Sequence, residues 1–137
     1  MDCVVDASAA VAWSLRDEAS SLSEVLLDAL ETGEGFVPPI WPLEVANALL
    51  MAERRRRIAP GGARRLLAEL STLTIEIDYP GGPDQLDDEI ALAHKHGLTA
   101  YDAAYLALAL RLTLPLATID TRLRAAATEA GVALVTN

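Results

Sequence analysis

The chain has 137 residues, 52% hydrophobic and 4% aromatic, with a formal charge of −9 from 20 acidic and 11 basic side chains. That length fits a single domain, 1–137, with a sizeable core, and the apolar content excludes a disordered chain. No apolar run nears the roughly 18 residues of a membrane span, and a nucleic-acid partner would have to overcome a repulsive net field through a local basic patch, metal ions or both.

"CVVDA" (3–7) reads as a short buried strand ending at Asp6, followed by helices over "SAAVAWSL" (8–15) and "ASSLSEVLLDALETG" (19–33), the second closed by Gly33. The start, "MDCVVDASAA", lacks the basic region of a secretory signal. Cys3 is the only cysteine; in its apolar run it is expected to be a core residue, in a chain without internal disulfides that works in the cytoplasm. "GFVPP" (35–39) is a brief extended segment. "WPLEVANALLMAERRRR" (41–57) is a helix with Pro42 near its start, and "GGARRLLAELSTL" (61–73) is another. "TIEID" (74–78) alternates like a strand, and the turn cluster "YPGGPD" (79–84) leads into a helix over 84–97 capped by Gly97. "TAYDAAYLALALRL" (99–112) is a helix apolar all round and so expected to be buried. "PLATID" (115–120) is a strand, "TRLRAAATEAG" (121–131) a helix, and "VALVT" (132–136) a last strand. Alternating strands and helices with few hairpin signals predict an α/β sandwich around a mainly parallel sheet. Its ligand crevice lies at the carboxyl ends of the strands.

Four acids fall at that edge. Asp6 and Asp120 end strands, and Glu44 and Asp102 sit in the first turns of helices. Each alone can be a helix cap or dipole partner worth about 0.3–1 kcal/mol. Asp6 and Asp102, however, are embedded in apolar sequence, where an unpaired carboxylate is expensive. Two like charges about 4 Å apart repel by roughly 4 kcal/mol at an effective dielectric near 20. Such a cluster takes up protons or holds cations, and its hard oxygens suit Mg²⁺ or Mn²⁺ rather than zinc.

The blocks "VVDASAAVAW", "PLEVANAL", "HGLTAYDAAYLALA" and "LPLATID", in this order, resemble the four acidic blocks of PIN-domain ribonucleases, and most of all the VapC toxins of bacterial toxin–antitoxin modules. The resemblance implies a three-layer α/β/α fold and a metal-dependent endoribonuclease leaving 5′-phosphate and 3′-hydroxyl ends. It gives metal-binding and catalytic roles to Asp6, Glu44, Asp102 and Asp120, with Ser8, Asn47 and Thr118 as supporting polar residues. It also implies RNA as substrate, a homodimer, and a small antitoxin bound across the active-site groove. Some relatives carry another acid just after the last aspartate; here Thr121 and Arg122 follow it, which leaves a second metal open.

Arg54, Arg55, Arg56 and Arg57, with Arg64 and Arg65, form the concentrated basic patch, expected either to offset the helix dipole as solvated charge or to grip RNA or an acidic antitoxin segment. His94 and His96 share no helix face and are expected near a helix end rather than on a metal. Trp13 and Trp41 are core or interface residues. The apolar faces around Leu22–Leu30 and Leu43–Met51 are expected to meet the core or a second subunit. Three alternatives stay open: a non-catalytic interaction domain whose acids are caps, a receiver domain, and a phosphatase. The receiver needs a lysine after its last strand, where Lys95 does not lie, and the phosphatase needs Asp-x-Asp where this chain has Asp6-Ala7-Ser8.

Overall fold

The structure, a computed structural model, describes residues 1–15, 21–79 and 81–136. In chain order it forms β1 (Cys3–Val5), α1 (Ala7–Ser14), α2 (Ser21–Thr32), β2 (Gly35–Val37), α3 (Trp41–Arg54), α4 (Gly62–Leu70), β3 (Ile75–Ile77), α5 (Pro83–His96), α6 (Ala100–Leu112), β4 (Leu116–Ala117) and α7 (Thr121–Glu129). The start of the second predicted helix (19–20) and Pro80 of the turn cluster lie outside the described residues.

The four strands form a parallel sheet in the order β3-β2-β1-β4, with β1 central. Helices α1 to α4 pack among themselves, while α6 packs on α5, α7, β1 and β4, giving the three-layer α/β/α arrangement. Short apolar strands suit this burial: Cys3, Val4, Val5, Val37, Leu116 and Ala117 are fully inside the core. Burial pushes the Cys3 thiol up to about 11, so it is an inert core group. Because all strands run the same way, Asp6, Pro38, Asp78 and Thr118 leave the sheet at one edge.

Several boundaries differ from the sequence reading, each for a local reason. Asp6 is not the last strand residue but the N-cap of α1. The "PLATID" strand stops at Ala117, because the Thr118 hydroxyl takes the Asp120 N–H and turns the chain out of the ladder. "VALVT" contributes a single parallel bridge, Leu134 to Leu116, instead of a full strand. The helix predicted over 41–57 ends at Arg54, since Arg56 adopts φ 61 and no α-helix continues through the left-handed region. Gly97 caps α5 at φ 65 as expected. Gly33 closes α2 for another reason: a Cβ there would lie 2.5 Å from the Met1 backbone. Nor is α6 buried all round, because Tyr101 and Leu110 reach solvent.

Candidate active site

The site begins with a capping bond. Asp6 accepts from the Ala9 N–H (2.8 Å) and the Ser8 hydroxyl (2.7 Å) through Oδ1, and from the Thr118 hydroxyl through Oδ2. These bonds hold the carboxylate at 4% exposure, and they oppose a larger effect. Desolvation, with the nearby Asp120 charge, pushes Asp6 up to about 6 despite three hydrogen bonds favouring its charged form. Thr118 is fully buried and ties the two aspartates together, donating to Asp6 and accepting from the Asp120 N–H at 3.0 Å. Ser8 completes the link, 3.3 Å from the Thr118 hydroxyl and accepting from the Ile119 N–H at 3.2 Å.

Asp120 caps α7 with Oδ1 on the Leu123 N–H at 2.9 Å. Asp102 sits in the first turn of α6, where Thr99 caps its N–H at 3.1 Å. Partial burial and the Asp120 charge raise the Asp102 carboxyl above its usual range, while Arg122 pulls it the other way. Asp120 thus acts on both Asp6 and Asp102. Glu44 joins through a residue absent from the sequence reading: the buried Tyr105 phenol donates to Glu44 Oε1 at 2.6 Å. Burial, that bond, and the Glu44 and Asp6 charges all raise the phenol's pKa, so it stays a donor. The sequence signal was there: Tyr105 stands three residues after Asp102, one turn along the same helix, and a buried tyrosine seeks a partner for its hydroxyl.

Thr118 and Ser8 link Asp6 to Asp120 by hydrogen bonds, the Asp120 charge also raises Asp102, and Tyr105 holds Glu44. Among the described residues, no three His, Cys, Asp or Glu side chains close into a metal cage. The donor set still fits Mg²⁺ or Mn²⁺: it is all carboxylate oxygen, and Mg²⁺ commonly rests on one or two carboxylates plus water and substrate phosphate. Asp6 and Asp120 each spend one oxygen on capping and keep acceptor capacity on the other. Capping and ligation are compatible here.

The remaining predicted residues lie farther out. Asn47 is exposed one turn beyond Glu44 and lines a groove of about 410 Å³ with Ile40, Leu43, Glu44 and Tyr101. No hydrogen bond joins Asn47 to Glu44 among the described residues. Arg54, Arg55, Arg56 and Arg57 are exposed where α3 turns into α4; Arg54 lies ten residues from Glu44, or about 15 Å at a helical rise. His94 is exposed, whereas the buried His96 ring faces Glu129 at 3.4 Å. Lys95 lines a groove between α5 and α6 that none of the four acids borders.

Replacing Tyr105 by Phe is expected to lower stability by about 1.5–3 kcal/mol, the range for a hydrogen bond to a charged group. It also frees Glu44 from its fixed position, with a loss of activity of about tenfold. Chemical denaturation and an activity assay measure the two effects, and activity at the parent level would show that Tyr105 does not position Glu44.

Comparison with known proteins gives one consistent result. The model of the PIN domain matches residues 3–129. Ribonuclease VapC3 of Pyrobaculum aerophilum is 36% identical over 123 residues, covering 90% of this chain and 92% of that protein. Ribonuclease VapC1 of Mycobacterium tuberculosis is 38% identical over 125 residues, covering 91% and 90%. Among solved structures, PAE2754 of Pyrobaculum aerophilum superposes with a TM-score of 0.70 at 27% identity, over 92% of this chain and 79% of that one. VapC20 of Mycobacterium tuberculosis, a toxin that cleaves the sarcin–ricin loop, gives 0.63 at 13% identity over 90% and 94%, a likeness of fold. With its parallel sheet, its acidic strand edge and these relatives, the chain belongs to the PIN-domain family, beside the VapC ribonucleases.

Proposed function

We propose that this protein is a cytoplasmic, metal-dependent endoribonuclease, the toxin of a toxin–antitoxin pair, which hydrolyses RNA phosphodiester bonds at the Asp6–Glu44–Asp102–Asp120 edge with Mg²⁺ or Mn²⁺. The observation that carries the reading is that a buried hydroxyl network ties Asp6 to Asp120, and that Asp6 and Asp102 are both raised, chiefly by desolvation and further by the Asp120 charge. A cation offsets both effects. The ribonuclease names of the relatives support RNA as the substrate, and the antitoxin partner is what the resemblance to VapC toxins implies.

A bound divalent ion supplies a water of lowered pKa and offsets the charge of an in-line phosphoryl transition state. The chain's own residues do the rest. Asp120 offers its second oxygen and Asp6 the remaining lone pair of the oxygen that accepts from Thr118, and Thr118 and Ser8 fix the angle between them. Tyr105 fixes Glu44. Asp102, half-buried and raised by desolvation and by the Asp120 charge, completes the carboxylate set that would hold the ion. The arginines of the α3–α4 turn supply the phosphate contacts that an acidic protein has to concentrate in one place.

The test is cleavage of a long RNA by purified protein, with end-group analysis. The expected products carry 5′-phosphate and 3′-hydroxyl ends and form with Mg²⁺ or Mn²⁺ but not with EDTA. Cyclic phosphate ends, or cleavage indifferent to EDTA, would remove the metal from the account. Phosphate uptake or release without RNA cleavage would favour the receiver or phosphatase readings.

A further inference from the structure

Helix α7 opens with a cation in an unfavourable place. Asp120 caps it, and Arg122 follows two residues later in the first turn, where the helix dipole presents its positive end. Arg122 is exposed, and among the described residues it makes no hydrogen bond or ion pair. Its charge nonetheless reaches the site, drawing the Asp102 carboxyl down against burial and the Asp120 charge. Other arginines are committed or distant. Arg124 donates to the Thr118 carbonyl oxygen at 2.9 Å, Arg111 pairs with Asp78, and Arg54 stands about 15 Å from Glu44 at a helical rise.

We infer that Arg122 is a ligand of the scissile phosphate, its guanidinium reaching the non-bridging oxygens of the strand held at the acidic edge. This role rests on the ribonuclease reading and adds to it a group outside the four acids. Three arguments select phosphate as what Arg122 takes. First, Arg122 stands about 3 Å along the α7 axis from Asp120, so a phosphate beside Asp120 lies within reach of its side chain. Second, the charge balance favours it. The four acids carry up to four negative charges, of which a divalent ion would offset half. A phosphodiester adds one more and hydroxide attack another, so a further cation at this edge lowers the cost of binding and of reaction. Third, a guanidinium presents paired N–H donors that match two phosphate oxygens, and this one has no hydrogen-bond partner to give up among the described residues.

The arginines then divide the work. Those of the α3–α4 turn hold phosphates farther along the strand, and Arg122 meets the one being cut. Hydrogen bonds to non-bridging oxygens strengthen as charge builds on them in the transition state, so Arg122 contributes more to kcat than to affinity. Its removal leaves the fold unchanged, because the side chain is exposed and packs no core position.

The test compares the full chain with Arg122→Gln and Arg122→Lys. Binding of a short single-stranded RNA is followed by fluorescence anisotropy in EDTA over a range of salt concentrations, and cleavage of the same RNA is timed with Mn²⁺. Arg122→Gln is expected to unfold at the parental temperature and to bind RNA about fivefold more weakly. The slope of log Kd against log salt is expected to fall by about 0.7, the share of one phosphate contact on a single strand, and kcat by about 30-fold. Arg122→Lys keeps the charge without the fork, so parental affinity and salt slope are expected with kcat down about fivefold. A parental kcat or a parental salt slope in the Gln variant would overturn the role. So would a drop in its unfolding temperature at neutral pH that vanishes below about pH 4, the mark of a resting counter-ion to the acids. A parent that cuts no RNA with Mn²⁺ would refute the ribonuclease reading instead. The salt slope then decides separately: a fall of about 0.7 keeps Arg122 as a phosphate ligand, and no change removes it.

Discussion

Asn in place of Asp6 is expected to make the protein harder to unfold at neutral pH and at least about 100-fold slower on RNA. Both effects have one cause. Asp6 is buried, and its carboxyl is pushed from 3.8 to about 6, chiefly by desolvation. The folded state therefore binds this proton more tightly than the unfolded chain does. The contribution of Asp6 to stability is fully present below about pH 4 and is lost as pH rises through about 6. Above that, a shift of two units corresponds to about 3 kcal/mol of penalty on the charged form. Asn keeps the acceptor for Ala9 and Ser8, and its amide can donate to a reoriented Thr118 hydroxyl. The variant is thus expected to gain about 2 kcal/mol at pH 8 and close to nothing near pH 4. Thermal unfolding in EDTA across that range measures it. A gain that does not grow with pH would mean that Asp6 is charged in the fold without strain.

Thr118→Val carries the opposite sign. The side chain keeps its shape but loses the hydroxyl that donates to Asp6 and accepts from the Asp120 N–H in a fully buried position. Two polar partners lose a bond, for an expected loss of about 2–4 kcal/mol. The Asp6 carboxyl also loses one of the bonds that lower it and rises above about 6. Because the lost bond favoured the charged form, the loss is expected to be larger above pH 6 than below pH 5. Cleavage falls as well, since the hydroxyl sets the position of both aspartates. Thr118→Ser, which keeps the oxygen, is expected to retain most activity and to lose about 1 kcal/mol for the missing methyl. Equal damage from Val and Ser would assign the role of Thr118 to packing.

The fold class and the edge that gathers the acids were legible because both follow from pattern. Short apolar strands alternating with helices leave few topologies, and parallel strands put their carboxyl ends together. Lone carboxylates in apolar sequence marked Asp6 and Asp102. The misses have physical reasons too. Arginine is a good helix former, so the run through Arg57 reads as helix; the left-handed turn at Arg56, closed by the Arg57 N–H on the Ala52 carbonyl, ends it. "VALVT" has strand composition, but only Leu134 bridges to β4. Tyr105 passes for core because its ring is core, and its hydroxyl bond to Glu44 spans 61 positions in sequence. The outer face of α3, with Leu43 and Leu50, was visible as apolar; its exposure depends on what the rest of the chain leaves uncovered.

The most direct measurement is the rate of RNA cleavage by the parent and by Asp102→Asn, each with Mn²⁺ and with EDTA, on samples shown to be equally folded. Cleavage by the parent with Mn²⁺ alone, falling at least about 100-fold in the Asn variant, is the predicted result. An Asn variant that cuts as fast as the parent, or a parent that cuts equally well in EDTA, would contradict a carboxylate-held metal as the source of the activity.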